Sequence, residues 1–120
     1  MPPVPTDIKL RRVSRVLEVT FDSGEQFRLP AEYLRVYSPS AEVRGHGPGQ
    51  EVLVTGKEQV NIVSIEPVGQ YAVRLIFDDG HATGLFTWPI LHELGVRQNE
   101  NWRAYLARLR AAGHMRSDDD

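Results

Sequence analysis

Short stretches in which apolar and polar residues alternate run through the first 90 residues, and this pattern is typical of β-strands. The clearest one places Leu17, Val19 and Phe21 on one face of a strand over residues 15–21. The same pattern predicts further strands at 8–13, 26–29, 60–65, 71–77 and 82–86. Turns containing glycine separate residues 15–21 from 26–29 and 71–77 from 82–86, so we predict two antiparallel hairpins.

Three segments indicate helices instead. Pro30 precedes a short helix over residues 31–36, and Trp88-Pro89 begins a second helix that we expect Gly95 to end as the residue after its C-cap. The third helix, with Asn99 as its N-cap and an end near Gly113, shows an apolar stripe at helical spacing: Trp102, Tyr105, Leu106 and Leu109. Its polar side is interpreted as a solvent-facing surface that carries Arg103, Arg108 and Arg110.

The two hairpin–helix units resemble each other, since residues 19–24 match residues 75–80 at an offset of 56. Common hairpin chemistry would also explain the match, because glycine suits such turns. Either way we predict an α+β fold in which an antiparallel β-sheet is built from two β-hairpin–helix units, with helices packed on one side. Residues 7–113 form a single domain, and 1–6 and 114–120 are flexible tails. The expected core is Leu17, Val19, Phe21, Phe27, Val73, Leu75, Phe77, Trp88, Leu91, Trp102, Leu106 and Leu109.

Composition excludes several classes of function. The chain has 120 residues, a net charge of −2 and no cysteine. It therefore lacks disulfides, thiolate metal ligands and a cysteine nucleophile. Its basic residues are scattered, so we expect no nucleic-acid or membrane partner. The first residues lack the basic and apolar regions of a signal peptide, which makes a cytoplasmic protein the expectation.

Candidate chemistry is sparse. The four histidines do not have the local spacing of metal ligands. Asp78, Asp79 and His81 could form a carboxylate–imidazole site for a divalent metal, or simply an acidic turn. No serine lies in a nucleophile elbow, and Gly45–Gly49 lacks the lysine of a phosphate-binding loop. We therefore expect no catalytic residues, and no enzyme.

Three segments together resemble the gamma-butyrobetaine hydroxylase-like N-terminal domain family. They are residues 34–47, with Ser38-Pro39-Ser40 at their centre, residues 63–67, and residues 77–88, which contain Asp79-Gly80-His81. The family resembles the small domain that precedes the iron- and 2-oxoglutarate-dependent domain of carnitine-synthesis hydroxylases. It also occurs alone in bacteria and fused to Mrp-type iron–sulfur carrier ATPases.

In the hydroxylases the resembled domain holds a structural zinc through three cysteines and one histidine. The resemblance places Ser38, Ser40 and Val43 at the cysteine positions and His81 at the histidine position. Hydroxyl and aliphatic groups are not zinc ligands of this type, so we expect no zinc here. The sequence also lacks the His-x-Asp motif of the hydroxylase catalytic domain, so we expect no hydroxylase activity.

The resemblance implies a small non-enzymatic accessory or binding domain, linked to iron–sulfur or metal-cofactor proteins and with another protein as its partner. We expect its binding surface at Ser38, Ser40, Glu42, Arg44, His46 and His81, with no cofactor. The alternative is a metal-binding domain that holds a divalent ion, iron or zinc, through His46, Asp78, Asp79 and His81.

Overall fold

The computed structural model describes residues 2–40, 43 and 52–116, which form six strands and three helices. The strands are β1 (Pro5–Arg11), β2 (Val16–Phe21), β3 (Gln26–Pro30), β4 (Ile62–Val68), β5 (Ala72–Phe77) and β6 (Leu85–Thr87). The helices are α1 (Ala31–Val36), α2 (Trp88–Val96) and α3 (Gln98–Ala111). None of the described helices is both long and apolar enough to cross a membrane.

The strands form two separate three-stranded antiparallel sheets, ordered β1-β2-β3 and β4-β5-β6. One helix follows each sheet directly, and α3 follows α2. The predicted α+β fold is therefore confirmed, with a sheet for each hairpin–helix unit.

The two sheets repeat each other in detail. Each has a register shift at the start of its first strand, between Pro5 and Asp7 and again between Ile62 and Ser64. The aspartate that begins each hairpin turn accepts a hydrogen bond from the backbone N–H of the residue directly before the first strand of its sheet. The distance is 3.2 Å from Val4 to Asp22 and 3.1 Å from Asn61 to Asp78. The turn glycines, Gly24 and Gly80, adopt the same left-handed conformation, with φ of 91° and 90°. The sequence similarity at an offset of 56 is thus a similarity of structure as well.

The core lies between the sheets and the helices. Its largest fully buried side chains include Tyr33, Tyr105, Phe21, Phe77 and Phe86. Eight of the twelve residues expected in the core are buried, namely Leu17, Val19, Phe21, Val73, Leu75, Phe77, Leu91 and Leu109. The other four, Phe27, Trp88, Trp102 and Leu106, are only partly buried and pack against the core from its edge.

Several predicted boundaries were wrong. Residues 5 and 6, assigned to a flexible tail, belong to β1, where Pro5 pairs with Phe21. In the expected tail 114–120, Arg116 forms an ion pair with Glu32 and lies over the Trp102 ring, and residues 117–120 lie outside the described residues. The strand predicted to end at residue 65 continues through Pro67, because β4 is an edge strand and tolerates a residue without an N–H.

Two predicted helix caps were also wrong. Gly95 lies inside α2, where a Cβ atom would come within 2.5 Å of the Phe27 ring, so glycine allows a close approach there and does not end the helix. Asn99 lies inside α3, because only Arg97 separates α2 from α3 and acts as a cap for both. The stop near Gly113 is confirmed, since α3 ends at Ala111 and Gly113 has a φ of 78°.

Candidate functional site

A buried hydrogen bond joins the segment after α1 to the hairpin between β5 and β6. The Ser38 hydroxyl lies 2.9 Å from the Nε2 atom of His81. Ser38 is 1% exposed and His81 is 6% exposed. Gly84 makes this approach possible, because a Cβ atom at residue 84 would lie 2.1 Å from the Ser38 oxygen. The two segments that we expected to meet therefore do meet, and side chains connect them.

Ser40 lies two residues further on and behaves differently. Its hydroxyl is buried, at 3% exposure of the residue, and has no hydrogen-bond partner among the described residues. The backbone nearby is satisfied, since the Val43 N–H donates to the Ser40 carbonyl at 3.1 Å. Of the two serines at the matched cysteine positions, Ser38 therefore makes a hydrogen bond in place of a metal contact, and Ser40 makes none to the described residues.

The two serines should therefore respond differently to truncation. Ser38→Ala removes one hydrogen-bond partner of a buried imidazole and should lower the free energy of unfolding by about 1–3 kcal/mol. Ser40→Ala removes a buried hydroxyl that is already unpaired, so we expect no loss and up to about 1 kcal/mol of gain. Urea unfolding of both variants checks this, and a larger loss for Ser40→Ala than for Ser38→Ala would contradict it.

The turn that carries His81 is also fixed by charge. One carboxylate oxygen of Asp79 lies 2.8 Å from Arg35 Nε on α1 and 2.6 Å from Lys57 Nζ. The other oxygen accepts the His81 backbone N–H at 3.1 Å. Burial alone would raise the pKa of Asp79, but hydrogen bonds from Lys57, His81 and Arg35, together with the Arg35 charge, lower this pKa to about 2. Asp79 is thus ionised and held between two cations.

The first hairpin is attached in the corresponding way. His92 on α2 lies 2.7 Å from Glu25 in the turn between β2 and β3. The hydrogen bonds to His92 and Ser23 outweigh partial burial and lower the pKa of Glu25. Each hairpin turn is therefore attached to the helix of the other unit, which holds the two sheets together.

The predicted site residues have different placements. Ser38, Ser40 and His81 are buried, so they hold the two segments in place and offer little surface to a partner. Glu42, Arg44 and His46 lie outside the described residues. Asp78 accepts the N–H of Asn61, the residue before β4 in its own sheet, as Asp22 accepts that of Val4 before β1. Among residues 2–40, 43 and 52–116, no three His, Asp or Glu side chains lie close enough to hold a metal ion.

A groove of about 290 Å³ opens beside the buried Ser38. Its walls are mostly apolar and come from α1, α2, α3 and two further residues, Val43 and Val52. The Val52 N–H donates to the Val43 carbonyl at 2.8 Å. The lining apolar side chains are Val36, Val43, Val52, Ile90 and Leu94. Sequence analysis missed this groove, because its walls come from segments far apart in the chain.

The arginines of α3 do not form one surface. Arg108 lines the groove together with Asn101, whereas Arg110 lies in a separate hollow beside Leu106 and Met115. In the part of the chain that the structure describes, the Arg108 side chain has no ion-pair partner. All three arginines are nevertheless exposed, as the sequence predicts, and Arg108 differs in that it also lines the groove.

The zinc implied by the resemblance does not fit the side chains in this region. The positions that match its ligands hold two hydroxyls, the hydrocarbon side chain of Val43 and the imidazole of His81. Zinc in proteins takes thiolate, imidazole or carboxylate ligands. Ser38 uses its hydroxyl to bind His81, and Ser40 has no hydrogen-bond partner in the part of the chain that the structure describes. Hydrogen bonding and apolar packing therefore occupy the region that a zinc ion would fill.

Comparisons with known proteins agree with the fold. The family model described as gamma-butyrobetaine hydroxylase-like, N-terminal, matches residues 8–92. A solution structure determined by NMR is 59% identical, with a TM-score of 0.81, over 95% of this chain and 85% of that one. A second NMR structure is 48% identical, with a TM-score of 0.84, over 100% of this chain and 94% of that one.

A crystal structure at 1.93 Å from Acidithiobacillus ferrooxidans, of a DUF971-family protein with unknown function, is 45% identical. The match covers 76% of this chain and 91% of that one, with a TM-score of 0.64. A search of curated proteins found no match. The family match covers well over half of the chain, in the segments that build both hairpins and α1. The chain therefore belongs to the gamma-butyrobetaine hydroxylase-like N-terminal domain family.

Proposed function

We propose that this domain is a non-enzymatic accessory module that binds another protein at the groove between α1, α2 and α3. The observation that carries the proposal is the position of the groove, which lies beside the buried Ser38–His81 pair at the junction of both units. Loops and clefts supported by a rigid scaffold are where binding residues concentrate. The resemblance to domains fused to iron–sulfur carrier ATPases supports iron–sulfur or metal-cofactor proteins as the class of partner.

Burial argues against a catalytic role for the Ser38–His81 pair. A nucleophilic serine must reach the substrate's carbonyl or phosphoryl atom, and the pair must share an open site. Ser38 is 1% exposed and His81 is 6% exposed, which leaves little of the hydroxyl accessible to a substrate. The pair is better suited to holding the second hairpin against the segment after α1.

The metal-binding alternative has less support from the described side chains. Arg35 and Lys57 already neutralise Asp79, and Asp78 accepts the backbone N–H of Asn61. A metal ion at this turn would have to displace both cations. Metal analysis of untagged protein after dialysis against a mild chelator separates the two proposals, and we expect no stoichiometric iron or zinc.

Photo-cross-linking tests the binding function. A photo-reactive residue in place of Val52, which is exposed at the groove wall, should cross-link a partner in cells of the source organism. The control places the same residue at Val13, which is fully exposed in the turn between β1 and β2. The proposal requires that the captured protein, once purified, bind the unmodified domain saturably. Capture at Val13 alone, or no saturable binding, would contradict it.

A further inference from the structure

Arg108 is the cationic side chain that the described residues place in the wall of the groove, beside other cations that already bind carboxylates. Asp79 is bound by Arg35 and Lys57, and Glu32 by Arg116. Arg108 lines the groove without an ion-pair partner in the described part of the chain. An arginine beside an apolar groove offers a planar, multidentate donor to an incoming carboxylate or phosphate.

The rest of the groove favours a peptide over a small anion. Its lining is more apolar than polar, and its volume of about 290 Å³ accommodates a large side chain. A small anion would leave the apolar walls exposed to water, whereas an aliphatic or aromatic side chain would cover them. Interfaces of this kind combine one buried apolar anchor with a polar or charged rim.

We infer that the groove binds an acidic peptide segment of the partner protein, in which one aliphatic or aromatic side chain enters the groove and a neighbouring carboxylate pairs with Arg108. This inference rests on the proposed binding function and adds the chemistry of the partner. Glu93 also lines the groove, but its side chain is 67% exposed and lies 3.9 Å from Arg97, so solvent and Arg97 weaken its repulsion of an acidic ligand.

Short blocked peptides test this chemistry on the full chain. The probe is acetyl-Glu-Leu-Leu-Asp-amide, followed through the backbone amide shifts of the labelled protein. We expect saturable shifts at Leu94, Asn101 and Arg108, with a dissociation constant of about 0.1–1 mM because so few groups make contact. The charge-reversed peptide acetyl-Lys-Leu-Leu-Lys-amide and the polar peptide acetyl-Glu-Ser-Ser-Asp-amide should bind at least about five-fold more weakly.

Matched variants separate Arg108 from charge in general. Arg108→Ala should weaken binding of the acidic peptide by about five-fold, and added salt should have a similar effect. Arg103→Ala removes the same charge from another part of α3 and should leave binding unchanged. Glu93→Gln should strengthen it by about two-fold, since it removes a nearby like charge. Arg108 and Arg103 are both exposed, so neither change should prevent folding.

Three results would overturn the inference. One is equal binding of the acidic and basic peptides, or no binding of the acidic one. Another is an equal loss of binding in Arg103→Ala and Arg108→Ala. The third is concentration-dependent shifts at the groove without peptide, which would assign it to a second copy of the chain. If the cross-linked partner still binds while the peptide fails, only the peptide chemistry is wrong. If the partner also fails to bind, the proposed function is wrong.

Discussion

Phe77→Ala should lower the free energy of unfolding by about 3–5 kcal/mol, because Phe77 is fully enclosed in the main core and the smaller side chain leaves a cavity. The loss should appear as a lower midpoint in urea unfolding with an unchanged slope. Phe77 also ends β5, directly before the turn that carries His81, so the variant should weaken the connection between the core and the site.

Tyr71→Ala is the matched control for this prediction. The alternation of residues 71–77 places both aromatics on one face, yet Tyr71 is 54% exposed and lies just before β5. Its truncation should cost less than about 1 kcal/mol. Equal losses for the two variants would contradict the assignment of the core.

Asp79→Asn should lower the free energy of unfolding at neutral pH by about 2 kcal/mol, which is a discounted value because the Asp79 side chain is 19% exposed. The amide keeps the shape of the carboxylate and can still accept the His81 N–H. It removes the negative charge between Arg35 and Lys57, which then repel each other. Asp7→Asn, at an exposed ion pair with Lys9, should change stability by no more than about 0.5 kcal/mol.

The loss of stability in Asp79→Asn should depend on pH. The pKa of Asp79 falls from 3.8 to about 2 on folding. A carboxyl whose pKa is lower in the folded chain stabilises the fold fully at any pH above its pKa in the unfolded chain. This stabilisation is lost as the pH falls through the pKa in the folded chain. The difference between wild type and Asp79→Asn should therefore disappear between about pH 4 and pH 2. A difference that persists unchanged at pH 2 would show that the carboxylate charge is not its cause.

Local patterns account for the parts of the fold that sequence analysis predicted. The alternation around Leu17 and Val19, and the glycine in each hairpin turn, act within a few residues of each other. The element order and both hairpins could therefore be read from the chain. The errors arose at prolines and glycines whose presence is explained by contacts with residues distant in the chain and not by a local turn or helix end. Pro67 is tolerated because β4 is an edge strand, and Gly95 is required because Phe27 packs against it.

The site depends on contacts between distant residues. Ser38 and His81 are 43 positions apart, and Arg35 and Asp79 are 44 apart. The family resemblance indicated that the first pair would meet, but no pattern in the chain indicated the ion pair. Nor did the helical period distinguish Arg108 from Arg103, because the distinction depends on how α3 packs against α1 and α2. Arg35, Lys57 and Arg108 are the functional candidates that sequence analysis missed.

The position of the partner interface tests the central claim most directly. Backbone amide shifts of the labelled domain can be followed while the purified cross-linked partner is titrated in. The account predicts that the largest shifts cluster around the groove, at Val36, Val52, Leu94, Asn101 and Arg108. Shifts confined to Arg103 and Arg110, or to the edge strands β1 and β4, would place the interface elsewhere and contradict the account.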